Sequence, residues 1–64
     1  MKYYRFRTME RKLDDPEVME RHSHVAETSD PILHAKEYRS SRDGWLIATE
    51  IVEEITFSEY EAER

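Results

Sequence analysis

The sequence predicts a small α+β domain: a three-stranded antiparallel sheet with one helix packed on one face, in the order strand, strand, helix, strand. Three observations carry that prediction. Apolar and polar residues alternate over the first dozen positions, the period of a half-buried strand. A sharp helix start stands at Thr28-Ser29-Asp30-Pro31, where an aspartate can cap free backbone N–H groups and proline loses nothing by lacking its own. Trp45 to Phe57 is the longest stretch rich in β-branched and aromatic residues, and it follows the single glycine, Gly44. At 64 residues the chain makes one domain. Its compact part is expected to span 1–57, leaving 58–64 as a frayed acidic tail.

The first strand runs from Lys2 to about Lys12, with Tyr4, Phe6 and Thr8 on one side and Arg5, Arg7 and Met9 on the other. Leu13-Asp14-Asp15-Pro16-Glu17 breaks it as a hairpin loop, since Asp before Pro favours a turn. Val18 to Glu27 reads as the second strand. A helix over 16–22, opened by Asp15-Pro16-Glu17, is the competing reading.

The helix should run about twelve residues. It would bury Ile32, Ala35 and Tyr38 and turn His34 and Glu37 to water. Arg39 and Arg42 would sit in its last turns, where the dipole favours cations, and Gly44 would close it in the left-handed conformation. In the last strand Trp45, Ile47, Ile51, Ile55 and Phe57 share one parity; Leu46, Ala48, Glu50, Val52 and Glu54 share the other. Placing the first strand in the middle makes every pairing antiparallel and keeps the crossover right-handed.

Charge is unevenly distributed. Ten Lys and Arg against fifteen Asp and Glu leave a net of −5. Residues 1–12 carry a net of +4, whereas 46–64 carry −5. Oppositely charged strands side by side account for that split, with Arg5 and Arg7 beside Glu50 and Glu54. The overall negative charge argues against direct nucleic-acid binding. The absence of cysteine excludes disulfides and Cys-based zinc sites. No apolar run approaches the ~20 residues of a membrane span, and no apolar segment follows the basic opening as a secretory signal would require. A cytoplasmic location is expected, the host cytoplasm if the protein is viral.

The chemistry-bearing patterns are sparse. His22-Ser23-His24 puts two imidazoles on one side of a strand, with Glu20 as a third candidate metal ligand. A structural site needs about four ligands and a catalytic one about three, so neither a metal nor a cofactor is assigned. Ser40 and Ser41 have no base or glycine-rich turn around them, and alternation sends Glu53 and Glu54 to opposite faces. The chain is read as a non-enzyme. Its carboxylates invite comparison with DNA mimics, but ten bases dilute them.

Ala26-Glu27-Thr28, the Asp-started helix with Ala35, then Gly44-Trp45 and a strand together resemble the small bacteriophage inhibitor of bacterial RNA polymerase over residues 24–55. The resemblance implies a small viral or mobile-element protein that docks on a host enzyme. Glu50, Glu53 and Glu54 stand where that family carries basic residues, so no binding residue transfers along the last strand.

One helix covers one face of a sheet, so the other should expose Tyr3, Met9, Leu46, Ala48 and Val52. That open face is the expected protein-binding surface, with Arg5, Arg7, Glu50 and Glu54 orienting the partner and Leu46 and Val52 as apolar contacts. The expected partner is a larger host protein, part of the nucleic-acid machinery or of a defence system. A homodimer through the same face is the alternative, and a DNA mimic a more distant one.

Overall fold

The computed structural model describes residues 1–38 and 41–64. Its elements are β1 (Lys2–Lys12), β2 (Asp15–Thr28), α1 (Pro31–Glu37), β3 (Trp45–Ile55) and α2 (Phe57–Glu63). The strands form one antiparallel sheet in the order β2-β1-β3, with the basic strand in the middle as its charge and direction predict. The fold is α+β.

β1 and β2 pair from Lys2↔Thr28 to Arg11↔Met19, then jump to Lys12↔Asp15. The helical reading of 16–22 is thereby replaced by strand: His22 faces Thr8, and Glu20 faces Glu10. The expected five-residue loop shrinks to Leu13 and Asp14, because Pro16 falls in the register irregularity of an edge strand, where its missing N–H costs no ladder bond.

Residues directly opposite in a ladder share a face. One face therefore carries Tyr4, Phe6, Thr8 and Glu10, flanked by Ala26, His24, His22 and Glu20 on β2 and by Glu54, Ile51, Thr49 and Ile47 on β3. Phe6, Thr8 and Glu10 are fully buried here. Thr8 is satisfied by a 2.8 Å hydroxyl bond to Thr49. The other face carries Tyr3, Arg5, Arg7, Met9 and Arg11, flanked by Glu27, Val25, Ser23, Arg21 and Met19, and by Ile55, Glu53, Glu50, Ala48 and Leu46.

β3 does not keep one parity. Arg5 pairs with Glu53 but Phe6 with Ile51, so Val52 has no counterpart on β1 and forms a bulge. Beyond it every side chain changes face. Ile55, expected beside Ile47 and Ile51, instead packs with Tyr3 on the opposite face.

α1 begins as the sequence predicts: Asp30 accepts the Leu33 N–H at 3.1 Å, and Pro31 opens the helix. It is shorter than predicted. Tyr38 leaves the helical region at φ −68°, ψ 118°, after its N–H donates to the His34 carbonyl. Arg39 lies outside the described residues, and Arg42 sits outside the helix, its guanidinium 4.1 Å above the Trp45 ring. Gly44 does have a positive φ, +80°, but in a turn that opens β3 rather than at the helix end. There the Trp45 N–H donates to the Arg42 carbonyl and Leu13 N–H bonds the Gly44 carbonyl.

The expected frayed tail is a helix. Thr56 and Glu59 form a capping box, each side chain accepting the other's backbone N–H at 3.1 Å. α2 lies against the face opposite α1: Tyr3 meets Phe57 edge-on at 5.3 Å between ring centroids and Tyr60 at 4.8 Å. The sheet is thus covered in part on both sides. The chain measures 40 × 21 × 14 Å, with a radius of gyration of 12.9 Å. A compact chain of this length would have about 11 Å. No helix among the described residues is long and apolar enough to cross a membrane.

Candidate protein-docking face

The half of the Arg7–Met9 face that α2 leaves uncovered is built from three strands. Met9 stands between Arg21 on β2 and Ala48 on β3; one pair further along, Arg11 stands between Met19 and Leu46. Leu46 is 60% exposed, Met9 38% and Met19 37%. Together with Arg11 and Ala48 they line a shallow depression of about 180 Å³. A second of about 90 Å³, lined by Arg7, Met9, Ala48, Thr49 and Glu50, adjoins it. The apolar floor consists of unbranched methionines and a leucine, side chains that repack readily against a partner. A charged rim surrounds it.

The predicted binding residues do not stay together. Leu46, Arg7 and Glu50 lie on this face, with Arg7 Nε bonded to Glu50 Oε1 at 2.7 Å. Arg5 lies on it too but is held beneath α2, bonded to Glu53 and Glu63. The predicted Arg5–Glu54 neighbourhood is replaced by Arg5–Glu53 because the bulge shifts the register by one residue. Glu54 is carried to the other face, opposite Tyr4, with Lys2 Nζ 3.7 Å away. Val52 is the bulged residue itself, 43% exposed. Tyr3, expected in the open face, is covered by α2. Met19, Arg11 and Arg21 complete the surface, and pairing the full hairpin from the sequence would have placed them there.

Two side-chain clusters occupy the α1 side. The predicted His22–His24 pair is divided: both rings share a face, yet each takes a different partner. His24 Nε2 lies 2.9 Å from His34 Nε2, so His34 turns toward the sheet rather than to water. Tyr38 stacks on His24 at 3.9 Å and Phe6 at 5.0 Å. Burial first, and the His34 charge second, hold the His24 pKa below the ordinary histidine value.

His22 Nε2 lies 2.7 Å from Oε2 of buried Glu10, and Glu20 Oε2 is 3.7 Å from the same nitrogen. These three residues are close enough to share a cation, their ligand atoms lying within 4.8 Å of one another. Arg42 supplies positive charge there, its Nη1 3.1 Å from Glu10 and 3.3 Å from Glu20. Arg42, Glu10 and Glu20 form an ion-pair network that fastens the turn before β3 onto the sheet. Family models, curated proteins and solved structures yield no match to this chain.

Proposed function

We propose that this protein is a small docking module that binds a larger protein stoichiometrically and catalyses nothing. The observation supporting this reading is the uncovered face of Met9, Met19, Leu46 and Ala48 inside a charged rim, on a chain with little core of its own. Among the described residues only Phe6 and Ile55 are buried apolar side chains. An exposed apolar patch on so small a domain suits an interface. The partner is a host enzyme, as the sequence resemblance to a phage polymerase inhibitor implies.

The test is a pull-down from bacterial lysate with wild-type protein and the Leu46→Asp variant, quantified by mass spectrometry. Leu46 is exposed, so the variant keeps its fold, which circular dichroism verifies. The expected result is one dominant partner at near-equal stoichiometry, reduced about tenfold or more by the variant, a loss of ~1.4 kcal/mol. Recovery of the bait alone as a multimer would replace this reading with self-assembly.

A further inference from the structure

β3 is an edge strand. Among the described residues its ladder runs to β1 alone, and apart from the Trp45 N–H, which bonds the Arg42 carbonyl, its outer row of backbone groups is open to another chain. Beside that edge, on the face opposite the docking surface, lies a further apolar hollow. Ile32, Ala35 and Lys36 of α1 form one wall, the Ile47-Ala48-Thr49 stretch and Ile51 the other, enclosing about 410 Å³. α1 is short and rests its rings on His24 and Phe6, so it leaves Ile32 61% and Ile51 38% exposed.

A groove between a helix and a free strand edge has the form of a strand-addition site. Main-chain bonds to the edge hold an extended segment, and its alternate side chains enter the groove. The charges define the remaining positions. β3 carries Glu50, Glu53 and Glu54 and no cation of its own. Their side chains are 58%, 51% and 53% exposed even while paired with Arg7, Arg5 and Lys2. On the face away from the groove, an added strand places side chains beside Glu50 and Glu53, where lysine or arginine is favoured and a second acidic strand is not. A second copy of β3 is therefore the wrong occupant.

We propose that the free edge of β3 and the α1–β3 groove accept an extended segment of a partner protein in which apolar residues alternate with lysine or arginine. This site is separate from the Met9–Leu46 face, and either can fail alone.

The experiment titrates the full chain with a blocked decapeptide of alternating valine and lysine, followed by amide chemical shifts and fluorescence anisotropy. Peptides of alternating valine and glutamate, and the valine–lysine peptide N-methylated along one edge, are the controls. The expected result is that shifts concentrate on β3 and α1, with affinity at least about tenfold above either control. Ile32→Glu should weaken binding by a similar factor, whereas Leu46→Asp should leave it unchanged. Equal binding of the acidic or N-methylated peptide would overturn the proposal, as would shifts centred on Met9 and Leu46. A mass that doubles with protein concentration through β3 would overturn it in favour of self-pairing.

Discussion

His24 and His34 can keep their 2.9 Å contact only while one ring donates a proton and the other accepts it. Protonating both rings would set two like charges face to face within a stack of Phe6 and Tyr38. This pair is a side-chain contact between α1 and the sheet, so its protonation state bears on whether the helix stays seated. The His24 pKa is lowered in the fold, chiefly by burial. At pH values between the folded and unfolded pKa the unfolded chain binds more protons, and stability rises with pH there. The stabilisation is present above the unfolded value of about 6.5 and is lost as pH falls through the folded value. The thermal midpoint of the wild-type protein should therefore drop on acidification from about pH 7.5 to about pH 5, and His24→Gln should flatten that decline. A wild-type midpoint unmoved across this range would refute the assignment. The Glu59 carboxyl, held down by the Thr56 backbone N–H, loses its contribution only at lower pH and does not interfere.

At the scale of elements, α2 depends on a short local signal. Thr56-Phe57-Ser58-Glu59 has capping-box spacing, and the box forms. Thr56→Ala should cost about 1 kcal/mol and weaken the docking of Tyr60 on Tyr3. Urea denaturation with near-ultraviolet circular dichroism would register both; an unchanged midpoint would show that α2 is held by its aromatic contacts alone. That signal was legible in the sequence, but the run of glutamates around it reads as a solvated tail. The strands and the helix start were legible for the same reason: alternation and Asp30-Pro31 are local instructions. The Val52 bulge was not, because nothing in Ile51-Val52-Glu53 marks which residue loses its partner; the positions of Arg5, Phe6 and Tyr3 across the ladder decide that. Apolar periodicity places His34 on the wrong face because it treats histidine as polar. Here His34 shares a hydrogen bond with His24 and meets the rings of Phe6 and Tyr38, so it turns inward while Ile32 and Leu33 stay exposed. Leu46, Arg7 and Glu50 were legible as neighbours because they lie on the near side of the bulge; Glu54 was misplaced because it lies beyond it.

Across the whole molecule, the charge split organises both the fold and its edges. The basic central strand is neutralised laterally: Lys2, Arg5 and Arg7 meet Glu54, Glu53 and Glu50, and Arg5 reaches Glu63 on α2 as well. Pairs this exposed contribute little each, in the range of about 0–1 kcal/mol. Their larger effect is on association. A long edge strand that carries Ile47 and Ile51 is a template for self-pairing, and like charges along it oppose that outcome. The three carboxylates of β3 play this part here, permitting a basic partner strand and disfavouring an identical one. The wild-type protein should accordingly sediment as a 7.8 kDa monomer at all accessible concentrations. The Glu50→Gln, Glu53→Gln, Glu54→Gln triple variant should keep its circular dichroism spectrum and shift toward dimer as concentration rises. Both halves matter. A wild-type dimer would mean that the acidic edge does not prevent self-association, and a monomeric triple variant would mean that something other than these charges does. A dimeric variant returned to monomer by a proline at Thr49 would locate the new contact on the outer edge of β3, provided the spectrum shows that the inner ladder to β1 survives.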